Sequence, residues 1–221
     1  MRVLFKAILC ALALTAAASG AQAQTVRILA LGDSLTQGYM LPPGVDFASR
    51  LERVLKLRGL DVELINAGVS GDTSAGGLAR LDWQLNDSKG TPHAAIVELG
   101  ANDGLRGLSP VEMEKNLDGI LAKLKARNIP VLLAGMKAPR NFGPQYAQSY
   151  DAVFPRLAQK YGALYYPFFL EGVALDRALV LPDQLHPNGK GVEVIADRIA
   201  PLAVELVNRA KSTRTPRASL L

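Results

Sequence analysis

Val26-Arg27-Ile28-Leu29-Ala30-Leu31-Gly32-Asp33-Ser34-Leu35-Thr36 decides how the rest of the chain is read. The run from Val26 to Leu31, apolar but for Arg27, ends at a glycine; so short an apolar run with such a flank is the pattern of a strand buried on both faces. A strand of that kind belongs to a parallel sheet, and a parallel sheet needs helices on both sides. The residues after it are small and polar. Ser34 stands just past the strand, at the first turn of a predicted helix, where its hydroxyl and its own backbone N–H face the same sheet edge.

Outward from this stretch the alternation repeats. Phe47, Leu51, Val54 and Leu55 recur at helical spacing and Gly59 closes that helix. Further strands are predicted over 62–65, 94–99, 130–134 and 163–166. Ser109 as N-cap, Pro110 at N1 and Glu112 at N3 begin another helix, whose Met113, Leu117, Ile120, Leu121 and Leu124 share one face. A last helix is predicted over 189–208 from Val192, Ile195, Ile199 and Leu206. Five strands with intervening helices predict an α/β protein: a three-layer α/β/α sandwich around a five-stranded parallel sheet. No internal repeat or linker interrupts residues 24–210.

Both ends read differently. Of the 221 residues, 49% are apolar and 20% charged, which suits a globular core. Arg2 and Lys6 form a basic head, 7–18 carry no charge, and Ala21-Gln22-Ala23 is a small-x-small cleavage site, so residues 1–23 are expected to be a secretory signal peptide. Twelve uncharged residues are too few to cross a bilayer, which takes about 17 to 25. The mature chain is therefore expected outside the cytoplasm, in the periplasm or secreted, with no membrane anchor. Removing Arg2 and Lys6 with the signal takes the formal charge from +5 to +3. Lys211, Arg214 and Arg217 in the tail 211–221, read as basic and disordered, carry that remaining excess, so the domain itself is neutral. A nucleic-acid partner would need its cations on the domain. The one cysteine, Cys10, lies within the signal and is preceded by Leu9 where a lipoprotein would have a small residue. The mature chain thus has no disulfide, thiol nucleophile or cysteine metal site.

Reactive groups in an open parallel sheet gather where strands end. Those ends carry Gly32-Asp33-Ser34, Asn66 to Ser74 with Gly71, Glu98-Leu99-Gly100-Ala101-Asn102-Asp103, and, before the last helix, Asp183-Gln184-Leu185-His186. A serine attacks only if a base takes its proton. The chain has two histidines, His93 and His186. His93 beside Pro92 reads as a surface or packing residue. Asp183 precedes His186 by three residues; on one turn at the start of the last helix it would hold Nδ1–H and leave Nε2 for Ser34. The Ser34 N–H, the Gly71 N–H and the Asn102 amide are three donors for the oxyanion of acyl transfer. Singly, each residue has a plainer reading: Ser34 a helix cap, Gly68, Gly71, Gly76 and Gly77 tight turns, Asn102 a turn residue, and Asp33, Asp72 and Asp103 loop braces. Their joint order, one role at each strand end, favours a nucleophile, a base, an orienting acid and an oxyanion hole.

Gly32-Asp33-Ser34-Leu35, Gly71 within Ser70-Gly71-Asp72-Thr73-Ser74, Gly100-Ala101-Asn102-Asp103 and Asp183-Gln184-Leu185-His186 resemble, in order, the four blocks of the SGNH (GDSL) hydrolases. Leu78-Ala79-Arg80-Leu81 and Val97 to Gly107 are similar to the bacterial periplasmic arylesterase, thioesterase and lysophospholipase group, although Ala101 stands where that group often has glycine. The resemblance implies a flavodoxin-like fold and no metal or cofactor. It also implies a small-molecule acyl ester or thioester substrate, cleaved through Ser34, Asp183 and His186 with Ser34, Gly71 and Asn102 as oxyanion hole. A carbohydrate acetylesterase would use the same blocks. A non-catalytic flavodoxin-like module binding a small ligand would need a phosphate loop such as G-x-x-x-x-G-K-[ST], which is absent. The loop 136–146 with Phe142 and Tyr146, the turn 38–42, and Leu185 are expected to overhang the site and bind substrate. The chain is expected to act as a monomer.

Overall fold

The computed structural model describes residues 25–86 and 90–214. The expected signal peptide 1–23, with Cys10, and residues 215–221 of the expected tail lie outside them. Five strands form one all-parallel sheet: β1 (Val26–Gly32), β2 (Val62–Gly68), β3 (Ala94–Glu98), β4 (Val131–Ala134) and β5 (Leu164–Tyr166), in the order β2-β1-β3-β4-β5. Every residue of β1, β3 and β4 is buried, as continuous apolar runs in the middle of a covered sheet should be. The strands sit where the apolar runs predict them. β2 is the exception, because Asn66-Ala67-Gly68, read as loop, continues the pairing with β1 as far as Gly32↔Gly68.

α2 (Phe47–Leu57) and α8 (Gly189–Arg214) pack together on one face; α3 (Ser74–Leu85), α5 (Pro110–Ala126) and α7 (Val153–Tyr161) cover the other. α1 (Ser34–Gln37), α4 (Ala101–Leu105) and α6 (Pro144–Asp151), with a 3-10 turn at Arg140–Phe142, occupy the loops. The expected signals work as read in α5, where Ser109 caps the helix, and in α2, whose buried face includes Phe47, Leu51 and Leu55. Two expectations are corrected. Gly76 and Gly77 lie in the first turn of α3, not in a tight turn; the Thr73 hydroxyl caps that helix and Gly77 makes room for Leu99. α8 runs to Arg214 rather than 208, so the first four residues of the expected tail are helical; Ala203, Leu206, Val207 and Ala210 continue its buried stripe.

The chain goes from β1 outward to β2, then returns across β1 to place β3 on its other side. The loops after β1 and β3 therefore diverge and leave a crevice between them, the position where open parallel sheets bind ligands. Ser34 follows β1 and Asn102 follows β3, so topology alone places both at this crevice. Gly68, at the end of β2, lets α1 lie directly on the strand: a Cβ there would stand 2.7 Å from the Asp33 carbonyl oxygen and against the Gln37 backbone. Backbone cannot swing aside as a side chain can. Gly68→Ala is expected to cost about 2 kcal/mol by overpacking. This would lower Tm by about 4–8 °C in a thermal melt.

Candidate active site

Asp33 caps α1: its Oδ1 accepts the Leu35 N–H at 2.9 Å, which turns the chain sharply after β1 and leaves Ser34 at the first helical position, partly exposed at the sheet edge. The Ser34 hydroxyl lies 2.9 Å from Nε2 of His186, and Nδ1 of His186 lies 2.7 Å from Oδ2 of Asp183. With the ring proton on Nδ1 donated to Asp183, Nε2 accepts from the serine. The tilted Tyr39 ring, 4.6 Å from the imidazole between centroids, packs against it.

Asp183 and His186 meet in a different way from the one expected. They are not on a helical turn: α8 starts only at Gly189, and the segment 182–186 is an irregular turn with Gln184 at φ 60°. Asp183 Oδ1 accepts the backbone N–H groups of Leu185 and His186, both at 3.0 Å, so the carboxylate folds the turn that carries its own partner. Asn188 anchors the segment, its amide donating to the Ala178 and Val180 carbonyls and its Oδ1 accepting from Lys190 and Gly191. Burial pushes the Asp183 carboxyl up, but those two N–H groups and the His186 ring outweigh it and hold the pKa at about 2.

The predicted donors sit on neighbouring loops. Asn102 is in the first turn of α4, a helix, where its plainer reading was a turn; its amide donates to the Asp72 carbonyl at 2.9 Å and to Asp33 Oδ2 at 3.1 Å. Gly71 adopts φ 84°, a left-handed conformation that favours glycine, and its carbonyl accepts from Arg106 at 2.8 Å. The Gln37 side chain braces the same loop by accepting both the N–H and the hydroxyl of Ser70.

Ser34, Asn102, His186 and Leu185 line one cavity of about 350 Å³ with Leu35, Leu105, Met136, Phe168 and Leu170. That is the lower end of the range for small-molecule pockets, about 300–1,000 Å³, and the wall is mostly apolar. Gly71 and Asp183 are not among its lining residues. Phe142 and Tyr146, expected to bind substrate, do not line it. Their rings pack on each other with centroids 5.2 Å apart, and the Tyr146 hydroxyl donates to the Leu108 carbonyl at 2.9 Å, so they brace the segment between α4 and α5. Met136, at the start of the loop expected to overhang the site, lines the cavity with Lys137 and Pro139; Phe168 and Leu170 were not singled out in the sequence because apolar residues after a strand look the same whether they line a pocket or a core.

Beneath Ser34 are two buried carboxyls. Glu98, 1% exposed at the end of β3, accepts the Thr36 hydroxyl at 2.7 Å. Burial and the adjacent Asp33 charge push its pKa well above the usual carboxylate range. Burial likewise raises Asp33 to about 6, against the opposing effects of the Leu35 N–H and the Asn102 amide. A lone charge inside the otherwise apolar run 94–99 was the sequence signal for Glu98. Asp72 pairs with Arg80 at 2.6 Å, and Asp103 accepts both the N–H and the hydroxyl of Ser74; both brace loops, as their plainer reading had it. His93 accepts the Arg27 N–H at 2.9 Å, a role in packing.

A parallel α/β/α sheet with a serine, an imidazole and a carboxylate hydrogen-bonded in series at its crevice defines the class, an ester hydrolase of the SGNH type. The chain belongs to the GDSL-like lipase/acylhydrolase family, whose profile matches residues 30–194. It is 39% identical over 176 residues to the esterase TesA of Pseudomonas aeruginosa, covering 80% of this chain and 86% of that one. With thioesterase 1/protease 1/lysophospholipase L1 of Escherichia coli K12 it shares 38% over 181 residues, covering 82% and 85%. The crystal structure of AlinE4, an SGNH-hydrolase family esterase, superposes with a TM-score of 0.71 at 46% identity, covering 82% of this chain and 96% of that one. The protein is accordingly a carboxylic ester hydrolase. Among the described residues no helix is long and apolar enough to cross a membrane.

Proposed function

We propose that the protein hydrolyses carboxylic esters and thioesters of apolar acyl groups, with Ser34 as nucleophile, His186 as base and acid, and Asp183 as the acid that orients it. The observation that carries this reading is the unbroken series Ser34 Oγ, His186 Nε2, His186 Nδ1, Asp183 Oδ2 at 2.9 and 2.7 Å. His186 takes the serine proton as Oγ attacks the carbonyl carbon. The Ser34 N–H, the Gly71 N–H and the Asn102 amide stabilise the resulting oxyanion. Collapse of the tetrahedral adduct expels the alcohol or thiol, which leaves with the proton from His186, and an acyl-serine remains. Water, deprotonated by the same imidazole, then releases the acid and regenerates Ser34.

The apolar wall from Leu35 to Leu185 and the names of the relatives support acyl chains as the substrate class. The Ser34 relay and the cavity lining come from one chain, so the proposed chemistry needs no residue from a second copy. The predicted signal supports action in the periplasm, by a mature hydrolase domain that begins at residue 24.

A fluorophosphonate probe is expected to label Ser34 covalently, and unlabelled protein would point to a binding module. Hydrolysis of p-nitrophenyl esters is expected to vary with chain length; a preference for acetylated xylan over every acyl chain would favour the carbohydrate acetylesterase. Asn102→Ala is expected to lower kcat by about 10²–10³-fold. KM should stay within about threefold, because the oxyanion exists only in the transition state.

A further inference from the structure

Asp33 touches three parts of the site, and the proton transfers use none of its atoms. It is fully buried. Its Oδ1 caps α1 at Leu35, its Oδ2 accepts from the Asn102 amide at 3.1 Å, and its N–H lies 3.4 Å from Glu98 Oε2, which also takes the Thr36 hydroxyl. Capping a helix needs one oxygen, and a serine supplies it as well as an aspartate does. A second buried carboxylate oxygen costs stability unless it is engaged, and its partner here is Asn102.

Rotation about χ2 of an asparagine is soft, so an amide with one acceptor does not hold a direction. The Asn102 amide has two acceptors, the Asp72 carbonyl at 2.9 Å after β2 and the Asp33 carboxylate after β1. An NH₂ plane fixed at two points can share a hydrogen with a third acceptor arriving beside them, whereas a rotating one must first be ordered. Donors ordered before the reaction are the ones that stabilise a transition state most.

We propose that Asp33 is a positioning residue that aims the Asn102 amide at the oxyanion, held in place by Glu98 from β3. The inference rests on the reading of Asn102 as an oxyanion donor. Asp33 would then have two separable jobs, the cap that turns the chain into Ser34 and the aim of a donor brought in from another strand.

Asp33→Ser separates them: the hydroxyl can still cap Leu35 but is too short to reach Asn102. On p-nitrophenyl butyrate, D33S is expected to lower kcat by about 10- to 100-fold, as a misplaced catalytic group does. KM is expected to stay within about threefold, since ground-state binding does not use the oxyanion donors. The double variant D33S/N102A is expected to fall no further than about threefold below N102A alone, because without the amide Asp33 has nothing to aim. Wild-type kcat in D33S, or losses that multiply in the double variant, would overturn the proposal while leaving the oxyanion reading intact. Wild-type kcat in N102A would overturn both. Where D33S does not fold, the wild-type protein supplies the test by NMR. The Asn102 side-chain amide protons, assigned by their loss in N102A, are expected to exchange with solvent far more slowly than those of an exposed asparagine, because both acceptors hold them. Exchange of both protons as fast as in an exposed asparagine would overturn the link.

Discussion

Ser34→Ala is expected to lower kcat by about 10⁶-fold and to leave the fold unchanged. With Ser34 as the proposed nucleophile, its removal takes away the covalent pathway as a whole, so the loss is close to that of deleting the full relay. The fold should not respond, because the cap of α1 is the Asp33 carboxylate and, among the described residues, the Ser34 hydroxyl bonds only to the His186 ring at the edge of the cavity. A change at such a position is typically within about 0.5 kcal/mol. That places Tm within about 2 °C of wild type. Steady-state rates and a thermal melt on the same preparation check both parts. More than about one thousandth of wild-type activity in S34A would show that another group attacks the ester.

Asp183→Asn is the second large effect, expected at about 10⁴-fold in kcat. Asp183 uses its two oxygens differently: Oδ1 takes the Leu185 and His186 N–H groups, and Oδ2 takes the ring Nδ1–H. An asparagine keeps its oxygen where the two backbone donors are and turns its NH₂ toward the ring. Nδ1 must then present a lone pair, which puts the ring proton on Nε2, facing the Ser34 hydroxyl. The imidazole is in place but cannot take the serine proton. KM is expected to change little. Because the folded carboxyl titrates at about 2 instead of 3.8, its contribution to stability is present above about pH 4 and lost as the pH falls toward 2. The wild-type and D183N melting temperatures should therefore converge at low pH, and a gap that widens there would contradict the bonding described.

Much of this site could be read from residues alone, for a physical reason. A parallel sheet gathers its strand ends at one edge, so four short polar blocks after apolar runs become neighbours whatever the loops do. Ser34, His186 and Asp183 lie in hydrogen-bonded series and Asn102 shares their cavity edge. Phe142 and Tyr146 show where such reading stops. Their apolar rings after β4 suit a substrate wall and a loop brace equally well, and the choice depends on where α6 packs. The Asp183 turn shows the same limit: a spacing of three fits one helical turn, but the bonds from Asp183 to the backbone of Leu185 and His186 make a different turn with the same proximity.

Composition, periodicity and the order of the polar blocks determined the fold class, the strand positions to within a residue or two except at β2, and which serine, histidine and aspartate come together. These follow from local chemistry and from a topology with few alternatives. The lining of the cavity, the burial of Glu98 and Asp33, and the orientation of the Asn102 amide were decided only by tertiary packing. They depend on which side chains of distant strands and loops come within hydrogen-bond or van der Waals reach, and separation along the chain carries no such distance.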